Sequence, residues 1–535
     1  MVHCVKLSHH VTSRPRVPQR RARALAALAG LVAVSVLTAA TYAAAAGLPV
    51  VPIPSDPLDS ALVPFTGKPA VAHRLPALYV PQHPHMARNG ASNIHNDAYQ
   101  SDAYSGPGPL GRDLTVTGTQ QVAAECASVT FDSAGRIVTV CVSPLGAALR
   151  LLDPKSLEQI ASYELPPREP GTFSFTNFSG GGYFYLDNLD RAVVSTFTGH
   201  LLVIAVNDTS LTLVRDIDVS AATAGSGIQS ALPDWAGRLW FVTTNGVVGM
   251  VSAKGRVYSH RLPTGESIAN SFAMDESGGV FVVSTSALYR FDIAKGGPVV
   301  TWRKRYDNGT RQKPGQVSQG SGTTPTLIGA ASSRGGGSIA ITDNADPRMH
   351  VLVFRRGKAG PGRTPLCTKA VFPAGASDTE NSLVSVPGGL IAENNYGYAG
   401  PLPSGLSRRI ADTVPGLVRV NVDYKKGGCR IVWQNSTARV PSVVSKVSLA
   451  TGLLYTYTHP TAAELPWTSR ALPDVLAPDS WFLTAINVRT GKQVWSQLAG
   501  SGTGYNNNYA PISLGRDGAA YVGTLGGLIR MADSP

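Results

Sequence analysis

A unit of two short strands joined by a tight turn recurs eight times between Glu125 and Thr524. The turns fall at Gly135, Asp190, Gly237, Gly278, near Gly336, and at Gly388, Gly452 and Gly518, between 41 and 66 residues apart. Runs rich in Val, Ile, Tyr and Phe flank them, the residue types that fit a pleated surface. A second strand pair follows most copies, as in ALRLLDPKSLEQIASYEL after the first. The spacing is that of a four-stranded antiparallel blade. One such sheet cannot bury both faces by itself, but stacked neighbours can. Eight units therefore predict an all-β fold, an eight-bladed β-propeller of four-stranded antiparallel blades over residues 113–535. The last unit ends near Met531 after three strands. The strand-like run LTVTGTQQV at 114–122 is expected to supply the fourth and close the ring.

Composition agrees with many short strands: 56 Gly, 38 Pro and only 15% charged residues. Residues 1–46 read as a targeting segment. Arg14, Arg16, Arg20, Arg21 and Arg23 precede an uncharged Ala-rich run from Ala24, and Ala44 and Ala46 fit an A-x-A cleavage site. The uncharged run also reaches about membrane-spanning length, so an uncleaved anchor over 24–46 is the alternative. Either reading makes the protein exported, secreted or extracytoplasmic, touching a membrane only through this segment. Six basic residues and no acidic ones lie in it, so +7 of the formal +13 remains on the rest. Those charges are scattered and form no basic helix or stacking platform, which excludes nucleic acid as a partner. Residues 47–112 are rich in Pro, Gly, His and Asn and read as an arm rather than a domain.

Cys126 and Cys141 flank SVTFDSAGRIVTV. A hairpin turning at Ser133-Ala134 puts them opposite one another, and export permits oxidation. Cys367 and Cys429 form the second candidate pair, although four cysteines allow three connectivities.

The piece AINVRTGKQVWSQ, followed by APISLGRDGAAYVG, resembles the repeat of pyrroloquinoline-quinone-type propellers, the superfamily of the quinoprotein alcohol dehydrogenases. The likeness is good in the last blade and looser elsewhere, and it implies the fold only. Quinoprotein dehydrogenases use adjacent cysteines and a stacking Trp. This chain has no Cys-Cys pair, and Trp240, Trp302, Trp433 and Trp495 fall in middle or outer strands. Pyrroloquinoline quinone is therefore not the expected cofactor.

In a propeller, the loops leading into the inner strands and the loops leaving the second strands share one face around the central funnel. The former carry Glu125, Asn177, Gln229, Asn270, Glu380, Asn381 and Asn506 to Asn508; the latter carry His200, Asp343, Asn344, Asp346, Arg348 and Glu393 to Asn395. A ring of carboxylate and amide oxygens suits a hard cation such as Ca²⁺. Glu125, Asn270, Asp343, Glu380 and Glu393 are the candidate metal ligands. Asn177, Gln229, Asn381, Asn507, Asp346, Arg348 and Asn394 are the candidate ligand-binding residues. The competing reading is that Asn and Asp only satisfy loop backbone, with Arg348 pairing with Asp346. NIHNDAYQSD in the arm, with His95, Asp97 and Asp102, could cover the funnel mouth and supply a general base, or belong to an arm without order. No G-x-S-x-G, H-E-x-x-H or phosphate loop is present. The expectation is a monomeric propeller that binds a small molecule, glycan or protein at its funnel face. A metal-assisted hydrolase or lactonase is the alternative, with a quinone-dependent dehydrogenase behind it.

Overall fold

The computed structural model describes residues 51–534 apart from 122–123, 144–145, 169–174, 334–335 and 469–472. Residues 1–46, which the sequence reads as a targeting segment, lie outside the described residues. The chain forms eight antiparallel blades in sequence order, at 125–164, 185–218, 228–261, 273–305, 326–370, 384–435, 446–501 and 512–532. The eighth has three strands from the C-terminus, Ile512–Leu514, Ala520–Thr524 and Gly527–Ala532. Thr115–Gln120 pairs with the last of these from Thr115↔Ala532 to Gln120↔Gly527 and closes the ring, as the strand count predicts.

The repeat has a local cause. In the first three blades the turn is held by an Asp whose carboxylate accepts from both the backbone N–H and the side chain of an Arg four residues on. The Nε–Oδ2 distances are 2.7 Å for Arg136–Asp132, 2.7 Å for Arg191–Asp187 and 2.6 Å for Arg238–Asp234. Each Asp caps the turn and orients the Arg in one step. Middle strands such as Val280–Val283 are apolar throughout, because neighbouring blades cover both faces. Outer strands such as Val257–Arg261 alternate between half-buried and exposed residues. The four named tryptophans sit in second or fourth strands, away from the channel.

Both cysteine pairs are disulfides, Cys126–Cys141 and Cys367–Cys429. Cys126 and Cys141 are direct cross-strand partners, as the hairpin register requires.

The arm departs from its sequence reading. Val51–Pro52 extends the eighth blade by pairing with Thr119 and Gln120, and Phe65–Gly67 extends the seventh by pairing with Trp495 to Gln497. The chain then passes the turn side of the ring, with His85 beside Gly237, His73 beside Gly452 and Pro107 beside Gly518. Between these points, residues 91–102 enter the channel and are all buried. Their carbonyls accept from inner-strand N–H groups around the ring: Ala91 from Phe131, Ser92 from Leu186, Ala98 from Met274, Tyr99 from Leu327, Ser101 from Ser385 and Asp102 from Val447. Six blades thus bond to one segment. The side chains of 91–102 show no periodicity, because the backbone carries this docking.

Candidate functional site

Residues 91–102 form a plug that leaves a cavity of about 30 Å³ at the centre of the ring, room for about two water molecules. Ile94 and His95 of the plug line it, together with Glu125, Asn270, Thr324, Glu380, Asn381, Ser382, Asn508 and Tyr509 from loops leading into inner strands. The loop 306–325 braces this side of the ring. Val317 N–H donates to Glu380 Oε2 at 2.9 Å, Asn270 Nδ2 to the Ser321 carbonyl at 3.4 Å, and Tyr509 OH to the Gly315 carbonyl at 3.3 Å. Buried Lys313 anchors the loop through the Ala345 carbonyl at 2.7 Å. The rings of Phe178 and Tyr398 pack on Tyr509 at 5.7 and 5.3 Å. The Gly-rich run after Lys313 serves as part of this cover: a Cβ on Gly322 would strike the backbone of Thr379 at 2.2 Å.

Of the five candidate metal ligands, Glu125, Asn270 and Glu380 line this cavity. Asp343 and Glu393 do not. Asp343 Oδ2 lies 2.9 Å from His350 Nδ1, and Glu393 accepts from Ser445 Oγ at 2.7 Å. Among the described residues no three His, Cys, Asp or Glu side chains form a group able to hold a metal ion. Burial pushes the Glu125, Glu380 and Glu393 carboxyls up to about 8. Glu125 Oε1 and Glu393 Oε1 are buried without a partner, as are both carboxylate oxygens of Asp378. Burial and, after it, the nearby Glu380 push the Asp378 carboxyl well above its ordinary value.

Of the candidate binding residues, Asn381 lines the cavity and donates to the Val443 carbonyl at 2.7 Å. The others serve the loops. Asn177 Oδ1 accepts from Ser179 Oγ at 2.7 Å, and Gln229 donates to the Ala269 carbonyl. Asn507 donates to the Ala510 carbonyl at 2.9 Å, and Asn394 to the Ala376 carbonyl at 3.1 Å. Asp346 and Arg348 are exposed. The ion partner of Asp346 is Lys313 at 3.5 Å rather than Arg348, because the loop 306–325 brings the lysine in.

The plug carries the densest polar network. His95 Nδ1 lies 3.0 Å from Asp102 Oδ1, and Lys446 Nζ also pairs with that carboxylate and donates to the Ile94 carbonyl. Burial by itself would raise Asp102, but His95 and Lys446 outweigh it and hold the carboxyl below its ordinary value. Burial lowers Lys446. Asp97, which accepts from Ser101, is pushed up to about 7 by burial. The sequence offers two places for His95, Asp97 and Asp102, over the funnel mouth or in an arm without order. They stand instead inside the channel, reached from the turn side. Ser382 ends the polar run 377–382 and Lys446 opens the strand Lys446–Ser448, and nothing in their spacing marks either as a partner of the plug.

No family model matches the chain. An uncharacterized protein of Archaeoglobus fulgidus is 28% identical over 337 residues, which cover 58% of this chain and 62% of that protein. The chain therefore spans less than two thirds of that relative's length. Similar solved structures include BamB from Moraxella catarrhalis, with 11% identity and a TM-score of 0.46 over 75% of this chain and 95% of that one. A streptogramin B lyase gives 9% identity and 0.40, over 78% and 97%. Virginiamycin B lyase from Staphylococcus aureus gives 10% and 0.37, over 68% and 96%. Likeness at this level carries no argument about activity, and the propeller assignment rests on the blade topology itself.

Proposed function

We propose that the protein is an extracytoplasmic propeller that holds a small, uncharged polar ligand in the chamber between plug and loops. The observation that carries this reading is the chamber itself. It lies at the convergence of the loops and is lined by buried carboxyl, amide and imidazole groups, among them the unpartnered Glu125 Oε1. With Glu125 and Glu380 raised to about 8, both carboxyls keep their protons at pH 7. The chamber then offers donors and acceptors without net charge from these two groups, which favours a neutral ligand over an anion. The two disulfides support an oxidising compartment.

Methanol, two heavy atoms with one hydroxyl that both donates and accepts, fits a space of this size and is the probe. Saturation-transfer NMR should show it binding to the wild type and not to Ala127→Leu, which fills the chamber from its wall. Equal signal from both proteins, or none from either, sinks the proposal. The unpartnered oxygens of Asp378 beside Glu380 favour a second reading, a Ca²⁺-type ion at that pair. Binding would displace the proton that Glu380 holds at neutral pH. Calcium titration in weakly buffered solution should then acidify the sample, and an unchanged pH with no bound metal removes this reading.

A further inference from the structure

We propose that the funnel-side loops of the sixth to eighth blades form a face that rests on a lipid bilayer. Among the described residues thirteen large hydrophobic side chains are exposed, and five of them, Val51, Leu402, Leu406, Val475 and Leu476, stand on this side of the ring. The other eight are spread over residues 71–79, one turn and the fourth strands of four blades. Three segments carry the five. Val51 pairs with Gln120, whose other neighbour is Gly527 at the start of the last strand, so the arm begins at the loop end of the eighth blade. Leu402 and Leu406 lie on the loop that leaves Gly389–Glu393, and Val475 and Leu476 on the loop that leaves Leu453–Thr458; both are second strands.

Polar contacts tie the three segments together. Arg409 donates to the Pro478 carbonyl, and Ile410 N–H donates to Asp479 Oδ1 at 3.1 Å. Arg408 pairs with Asp56 of the arm. Val63 N–H donates to the Pro466 carbonyl at 2.7 Å, and Ser501 Oγ donates to Asp59. The apolar side chains are left outside this framework. Leu406 is 99% exposed, next to Gly405 at φ +62°. Apolar side chains gathered on one face gain by leaving water. Three observations point to lipid as what takes them up. The five are aliphatic, whereas protein interfaces are anchored chiefly by Trp, Tyr and Arg. The exposed charges beside them, Arg408, Asp412 and Asp474, are of both signs, so the contact is apolar insertion rather than attraction to anionic headgroups. Only four residues separate the uncharged run 24–46 from Val51. If that run stays in a membrane, it holds this face within about 18 Å of the lipid; if it is cleaved, the face makes a weaker, reversible contact by itself.

An environment-sensitive label reports insertion. In the full chain with Cys4→Ser, a new cysteine is the one free thiol, because the other four are paired. Nitrobenzoxadiazole on Leu406→Cys or Val475→Cys should brighten and shift to the blue with phosphatidylcholine vesicles, and nitroxide-bearing lipids should quench it. Adding phosphatidylglycerol should leave the response unchanged. The same label on Leu189→Cys, at a turn of the second blade, should not respond. Leu402→Ser with Leu406→Ser should cut the response at residue 475 about tenfold or more, with the melting curve of the parent. Labels at 406 and 475 that stay dim while the chain sediments with the vesicles would show that the N-terminal segment alone meets lipid, and would overturn the proposal. So would an equal response at 189, a response that requires phosphatidylglycerol, or brightening at 406 without vesicles that grows with protein concentration, which assigns the face to a second copy. The chamber plays no part in this face, so either reading can fail alone.

Discussion

Replacing Glu380 with Gln removes one ionisation and little else, since a Gln carbonyl oxygen can still accept from Val317 N–H. Burial raises the folded Glu380 carboxyl from 4.5 to about 8. Between those two values the unfolded chain has released the proton and the folded chain still holds it. The contribution of the group to stability is therefore full below pH 4.5 and is lost as pH rises toward 8. Each pH unit in that window is worth about 1.4 kcal/mol, so wild type should lose roughly 3–4 kcal/mol through this group between pH 5 and pH 8. Glu125 and Glu393 act in the same direction and steepen the wild-type decline. Urea unfolding followed by Trp fluorescence at pH 5, 6, 7 and 8 measures the effect. Glu380→Gln should equal or fall slightly below wild type at pH 5, then gain on it steadily and exceed it at pH 8. Parallel curves for the two proteins would mean that Glu380 is ionised in the fold, and the neutral chamber would fall with that result.

Three further expectations follow from the ring and its plug. Asp533 accepts from the N–H groups of Leu110, Gly111 and Arg112 at 2.7 to 2.9 Å and clasps the arm to the C-terminus. Asp533→Ala should cost about 2 kcal/mol in urea unfolding, and no change would mean the clasp is not formed in solution. Lys446→Met leaves Asp102 buried with His95 as its remaining side-chain partner and should cost about 3–5 kcal/mol. Asp102→Asn added to it should recover part of that loss, and simple additivity of the two would refute the pairing. The Cys367–Cys429 bridge spans 62 residues of sequence, so replacing both cysteines with Ala should lower stability by up to about 4 kcal/mol. If reduction of the wild type leaves its intact mass unchanged, the bridge is absent and that cost should vanish.

Much of the ring was legible because its determinants are local. The Asp132–Arg136 turn and its copies lie within five residues, and four residues suffice to place a Gly or Asp at positive φ, as at Gly135 and Asp190. The Cys126–Cys141 pairing follows from one hairpin register. The chamber was legible only in part. Glu125, Asn270, Glu380 and Asn381 were traceable because loops leading into inner strands converge by topology. Asn177 on such a loop, and Asp343 and Asn394 on loops leaving second strands, spend their polar atoms on neighbours, which spacing along the chain does not reveal.

Local pattern by itself determined the eight blades, the closing strand at Thr115–Gln120 and the first disulfide, because each depends on residues adjacent in sequence or on a strand left without a partner. Tertiary structure alone decided what fills the centre. The plug docks through backbone carbonyls, which every residue possesses and no side-chain pattern advertises. It sets His95 against Ser382, 287 residues away, and Asp102 against Lys446. Such contacts arise only when ring closure and plug insertion exclude water together and leave each buried polar group to find its partner within the channel.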